Sequence, residues 1–329
     1  MEILELIWLG TPLWMWLAFV GIVIALLALD LGVLHRKQRE IGVRESLLLS
    51  ALYIALGLGF GGWVGWYMGA TAGMHYVTGF IIEKSLAMDN VFVIAMIFAY
   101  FGIPRLYQHR VLFWGILGVI VLRAIMIGAG TALVEQFSWV LYVFAAFLIF
   151  TGIKMWLMAD KEYDVAGSPL LKWAYRRFRV TEGLHQERFW VRQADPATGR
   201  LAWHMTPLFL ALLMVEFVDV VFAVDSVPAI FAITTDPFIV YTSHIFAILV
   251  LRALYFALAA MVDRFHYLKY ALAVLLVFIG SKIFLADALG FAKIPPPASL
   301  SITFAILLGG VAYSLWKTRP GEADATTPV

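Results

Sequence analysis

Nine apolar segments recur along this chain, at approximately residues 8–33, 47–69, 76–101, 111–134, 139–158, 206–233, 238–260, 267–289 and 299–316. At about 1.5 Å of rise per residue, each can cross a hydrocarbon layer roughly 30 Å thick as a helix. The expected fold is therefore all-α, a polytopic membrane protein with about nine transmembrane helices set in a lipid bilayer. Charged residues make up only 14% of the chain, against roughly 25% in soluble domains, which agrees with that class. The formal net charge of +2 is too small to point to nucleic acid as a partner. The opening "MEILELIWLGTPLWMWL" carries two Glu and no Lys or Arg, so it lacks the basic start of a signal peptide and reads as part of the first span.

Lys and Arg set the expected orientation. The first loop holds Arg36, Lys37, Arg39 and Arg44, the third Arg105 and Arg110, and the fifth, residues 159–205, eight basic residues. The seventh holds Arg264 and Lys269, and the tail Lys317 and Arg319. The second, fourth and sixth loops hold none, and the eighth only Lys293. Basic residues gather on the cytoplasmic side, so the N-terminus is expected outside and the C-terminus inside. In the fifth loop, "PLLKWAYRRFRV" reads as a basic amphipathic helix on the inner membrane surface. "RFWVRQADPATGRLAWHM" reads as two short strands around a turn.

Two stretches of the chain match each other. "LRAIMIGAGTALVEQFSWVLYVFAAFLIFTGIKMWL" from Leu122 aligns with "LRALYFALAAMVDRFHYLKYALAVLLVFIGSKIFL" from Leu251. Arg123 then meets Arg252, Glu135 meets Asp263, Gly152 meets Gly280 and Lys154 meets Lys282. Upstream, "EKSLAMDNV" aligns with "DVVFAVDSV", so Glu83 meets Asp219, Asp89 meets Asp225 and Asn90 meets Ser226. Spans three to five and six to eight enter the membrane from opposite sides, which gives a 3+3 inverted-topology repeat. That is a transporter architecture, with substrate expected near the midplane. The expected organisation is two N-terminal helices (1–72), a first repeat (73–158), the cytoplasmic loop module (159–205), a second repeat (206–291), and a last helix and tail (292–329).

Five acids fall inside spans three and six: Glu83, Asp89, Glu216, Asp219 and Asp225. Facing lipid, each costs about 2.5–3.5 kcal/mol, or about 12–17 kcal/mol for the set. Folding stability is only about 5–15 kcal/mol, so the acids must face the bundle interior and be neutralised there. Lys84, Arg123, Lys154, Arg252 and Lys282 lie in or near spans and are candidates for charge compensation or gating. A purely structural ion-pair network is the bland reading, and buried pairs stabilise poorly. A cationic ligand is the sharper one. Glu216 and Asp219 share a helix face, whereas Glu83 and Asp89, like Asp219 and Asp225, stand about 120° apart. Pro228 cannot donate to the carbonyl of Val224, so a break is expected near Val224–Ser226. Asn90 and Ser226 add neutral oxygens. Carboxylate, amide and hydroxyl donors suit Mn²⁺, Mg²⁺ or Ca²⁺, and surplus carboxylates would take up protons when the metal leaves. With no cysteine, thiolate metal sites and disulfides are excluded.

At "GFIIEKSLAMDNVFV", "VLRAIMI", "VEFVDVVFAVDSVPAIFAITTDPFIVYTSHIFAILVLRALYF" and "ALAVLLVFIGSKI" the chain resembles the TerC family, in the wider LysE-like transporter group. The long cytoplasmic loop and nine-span layout resemble its Alx-like, manganese-exporting branch. The similarity spans roughly residues 10–316. It implies an inner-membrane Mn²⁺ exporter with metal ligands at Glu83, Asp89, Glu216, Asp219 and Asp225, and it matches at Asn90 and Ser226. Some members are thought instead to metallate or assemble exported proteins. The family's tellurium-resistance label names a phenotype, and a carboxylate cluster is a poor place for an oxyanion.

Other signals carry less. "GLGFGG" at 57–62 fits a dinucleotide fingerprint but lies within a span, so it reads as close helix packing. His75 and His244 fall at outer span ends and read as interfacial. Trp8, Trp14 and Trp16 form an aromatic belt. No nucleophile and base set accompanies the acids, so no enzyme is expected.

Overall fold

The structure, a computed structural model, describes residues 5–29, 42–158, 164–194, 201–259, 267–288 and 295–318. Within its helices the side chains of residues 88, 89, 92, 225, 259 and 286–288 lie outside that description.

The fold is all-α apart from two small hairpins. A short hairpin of β1 (Ile7–Trp8) and β2 (Thr11–Pro12) precedes α1 (Leu13–Leu29). Then come α2 (Val43–Met68), α3 (Ala70–Tyr100), α4 (Arg105–Gln136) and α5 (Val140–Leu157). The long loop folds as α6 (Pro169–Arg177) and an antiparallel hairpin of β3 (Trp190–Ala194) and β4 (Leu201–Met205). The chain closes with α7 (Pro207–Phe231), α8 (Pro237–Ala259), α9 (Leu268–Ala288) and α10 (Pro296–Lys317).

Among the described residues, seven helices are long and apolar enough to cross a membrane: α2, α4, α5, α7, α8, α9 and α10. The sequence reading of nine spans adds two others. One is α1, whose 17 residues reach only about 26 Å. The other is α3, whose 31 residues have ample length but carry Glu83, Lys84, Asp89 and Asn90 within their apolar run. Helices suit this environment because each satisfies its own backbone groups without water. Large apolar side chains, such as Trp66, Leu157 and Leu308, point outward, as lipid-facing residues do.

The interior is organised around α8, the most enclosed of the seven. It packs against α2, α3 and α4, while α4 also packs on α7 and α5 on α9. Asp236 starts α8 by accepting the backbone N–H groups of Phe238 (2.9 Å) and Ile239 (3.1 Å), with Pro237 at a position that has no donor to lose. Small residues set the closest approaches. Gly57, Gly61 and Gly65 of α2 lie four apart and meet Phe80, Tyr76 and Gly73 of α3, so the "GLGFGG" run is a packing seam.

The α5–α9 contact is reciprocal. A Cβ at Gly152 would stand 2.7 Å from the carbonyl oxygen of Ala273, and one at Gly280 would stand 2.5 Å from that of Ala145. Backbone offers no rotamer to move aside. Gly152→Leu is therefore expected to lower stability by about 1–3 kcal/mol, the usual cost of overpacking. Thermal unfolding in detergent would measure it. Gly128→Leu, where nothing stands within 4 Å of the added atom, is the control and should change little.

The loop module caps one end of the bundle. Leu171 and Ala174 of α6 and Met205 of β4 share a core with Phe98 of α3, Leu208 of α7 and Tyr255 of α8. Arg110 at the start of α4 pairs with Glu187 of the loop at 3.2 Å.

Candidate functional site

Among the described residues, Arg123 of α4 is the largest fully buried side chain, at 1% exposure. A guanidinium carries five donors and cannot lose its charge, so its partners define the site. Nη1 lies 2.9 Å from Oε1 of Glu83 and donates to Oγ of Ser226 at 2.6 Å. Nη2 donates to Oδ1 of Asp219 at 3.3 Å, and Nε to Oδ2 at 3.4 Å. Glu83 comes from α3, at 2% exposure, and Asp219 and Ser226 come from α7. One cation from α4 thus ties two carboxylates from separate helices. Only Glu83 is closely held, and both bonds to Asp219 are long for charged partners.

Glu83 and Asp219 against Arg123 leave one surplus negative charge, and Glu216 lies one helical turn before Asp219. Its carboxylate fits against α4 where Gly115 and Gly118 have no side chains, and its Oε2 has no hydrogen-bond partner. Glu216 and Asp219 both face α4, as their three-residue spacing predicts. A cavity beside the ion pairs is lined by Glu83, Asn90, Asp219 and Arg252, and by Ile94 and Tyr255 toward the loop-module end. Asn90 is 5% exposed and its buried Oδ1 is unpaired. Among the described residues, no group of three or more His, Asp or Glu is gathered to hold a metal ion in this conformation. Arg123 stands between Glu83 and Asp219.

Other residues singled out in the sequence are placed as follows. Asp89 and Asp225 lie on α3 and α7, and their side chains are outside the described set. Arg252 shares the cavity, with Nη2 2.7 Å from Nε2 of His109 and the guanidinium 5.1 Å over the Phe113 ring. Lys84 is half-buried on α3 and makes no ion pair among the described residues. Lys154 is exposed on α5, and Nζ of Lys282 donates to Oγ of Ser299 on α10 at 3.3 Å. Neither is gathered with Glu83 and Asp219.

Two expectations need correction. Pro228 does not open α7, which runs unbroken from Pro207 to Phe231. It sits in the last turn, where one missing donor interrupts little, and the N–H of Ala232 already returns to the carbonyl of Pro228 (3.0 Å). His244 is not interfacial. It is 1% exposed, with Nε2 3.1 Å from Oε2 of Glu83. The start of a span is a wet position only on an outer helix, and α8 is enclosed. The legible signal was the run Thr242-Ser243-His244, three polar residues in an apolar segment, all buried. The two hydroxyls return to their own helix at the carbonyls of Phe238 and Val240, and the imidazole turns to Glu83.

Ionisable groups drawn from four helices into the middle of an apolar bundle define a multi-pass membrane protein with an internal charged site. The chain belongs to the integral membrane protein TerC family, whose model matches residues 68–322. It is 47% identical over 320 residues to an uncharacterized membrane protein, STKORF319, of Myxococcus xanthus, covering 97% of each chain. It is 46% identical over 316 residues to the protein of Escherichia coli (strain K12) named "Putative membrane-bound redox modulator Alx", covering 93% of this chain and 95% of that one. The protein of that name in Salmonella typhi matches to the same extent. These similarities place the chain in the Alx-like branch of the family. No solved structure matches it.

Proposed function

We propose that this protein exports a divalent metal ion, Mn²⁺ before Mg²⁺ or Ca²⁺, from the cytoplasm across a bacterial inner membrane in exchange for protons. The observation that carries the reading is the meeting of Glu83 and Asp219 on Arg123, beside a cavity that Asn90, its Oδ1 unpaired, helps to line. Arg123 acts as the tethered cation of the ion-free state. A dication entering along the cavity takes its place between the carboxylates, with Asn90 and Ser226 as neutral donors and Asp89, Glu216 and Asp225 supplying further charge. When the metal leaves, Arg123 returns and protons settle the remaining negative charge.

Nine crossings in a 3+3 inverted arrangement, with the N-terminus outside and the C-terminus inside, belong to the same reading. The reciprocal glycine contact supports it. Gly152 meets Ala273 and Val277, and Gly280 meets Ala145 and Ile149, so both pairs of contacts keep offsets of seven and three residues. Antiparallel packing alone gives equal offsets, and a glycine at both places is what a pseudo-twofold relation between α5 and α9 would require. The reading is of a carrier, with no enzyme chemistry assigned. The chain has no thiol to exchange, so we read the redox role in the relatives' names as a consequence of the metal moved.

Purified protein in vesicles loaded with Mn²⁺ is expected to release the metal at a rate set by an imposed pH gradient. Asp89→Asn and Asp225→Asn should each abolish release while the protein still inserts. The ion pairs of Arg123 also fit a protein that scaffolds or metallates exported partners, or one in which they serve structure alone. Vesicles that hold their Mn²⁺ under every gradient would reject export in favour of those readings.

A further inference from the structure

We propose that His244 is a nitrogen ligand of the transported ion and makes the site select a transition-metal dication over Mg²⁺ and Ca²⁺. The proposal rests on the export reading and names the residue that sets its substrate class. His244 is 1% exposed, on the most enclosed helix of the bundle. Its Nε2 stands 3.1 Å from Oε2 of Glu83, and beyond that one contact neither atom has a partner among the described residues. A carboxylate oxygen and an imidazole nitrogen that face each other in a buried place, with no other partner, can hold a cation between them in place of a proton. Glu83 explains which partner. Its Oε1 is occupied by Arg123, so Oε2 is the oxygen left to a ligand, and Oε2 is the one that faces the imidazole.

The spacing fits a shared cation. With metal–donor distances of about 2.0–2.2 Å, two neighbouring donors at right angles stand about 3 Å apart. Nε2 and Oε2 have that separation, which is also that of the direct N–H···O bond they can make without the cation. Asn90 supplies an independent pointer, because it lines the same cavity as Glu83 and its buried Oδ1 is unpaired among the described residues. The carboxylates and amide of the site would accept Mg²⁺, Ca²⁺ or Mn²⁺ alike. An imidazole changes that, since nitrogen donors favour first-row transition metals and bind Mg²⁺ and Ca²⁺ poorly. One nitrogen among oxygens therefore adds discrimination that the acids cannot provide.

The test uses Mn²⁺ itself as probe, on the full-length protein in detergent and in vesicles. Pulsed electron paramagnetic resonance should show modulation from a directly bound nitrogen on protein-bound Mn²⁺. His244→Gln, or His244→Asn if the first fails to accumulate, should remove that modulation while Mn²⁺ still binds. The same variant should lower the preference for Mn²⁺ over Mg²⁺ in binding and flux by roughly 10-fold or more. Bound Mn²⁺ without nitrogen modulation in the unmodified protein, or with modulation that survives both substitutions, overturns the proposal and leaves export standing. Failure of the unmodified protein to bind or release Mn²⁺ overturns both.

Discussion

Arg123→Ala is expected to lower stability by roughly 3–5 kcal/mol, the cost of removing one partner from a buried ion pair. The guanidinium is 1% exposed and Glu83 is 2% exposed, so water cannot replace it. Asp219 loses both of its long bonds in the same change. The informative part is what Mn²⁺ then does. In the unmodified protein a dication must first displace Arg123, so added Mn²⁺ should raise the unfolding temperature little. In the variant the place is vacant, and Mn²⁺ at a hundredfold excess over its dissociation constant would restore about 2.7 kcal/mol. Thermal unfolding in detergent, with and without Mn²⁺, measures both terms. A variant as unstable with Mn²⁺ as without it would favour a purely structural network.

Glu83→Gln should cost flux far more than stability. The carboxamide keeps the shape of the side chain and removes one negative charge. The described set of Glu83, Asp219 and Arg123 goes from a net charge of −1 to neutral, so folding should suffer less than in Arg123→Ala. Mn²⁺ flux from vesicles should nevertheless fall by about 100-fold or more, because an anionic ligand contributes at least as much as the outer partners whose loss costs about 10–100-fold. A loss of flux with little loss of stability marks a site used for a ligand. Equal losses in both would return Glu83 to a structural role.

Much of this arrangement was readable in the residues. Apolar length placed the chain in a membrane, and the acids stood out because lipid cannot hold them. The match of Gly152 with Gly280 pointed to two corresponding positions, and at both of them α5 and α9 leave no room for a side chain. Legibility ended at questions of partnership. Five basic residues stood in or near spans, and nothing in their spacing ranked Arg123 above Lys154 or Lys282. Lys154 is exposed, Lys282 serves α10, and Arg123 bridges two acids. His244 was missed for a related reason. Its position along its helix was plain, but its burial depends on α2, α3 and α4 closing around α8.

The amino-acid sequence by itself determined the solvent, the helices and the height of each charge along its helix, because hydropathy and the rise per residue are local properties. Only the tertiary structure decided that Arg123 meets Glu83, Asp219 and Ser226, and that His244 stands behind Glu83. Helical periodicity sets the direction in which a side chain leaves its own axis, and nothing in it says which helix waits there. That choice is made by packing between segments as far apart as residues 83 and 244, where small residues let particular pairs of helices come close.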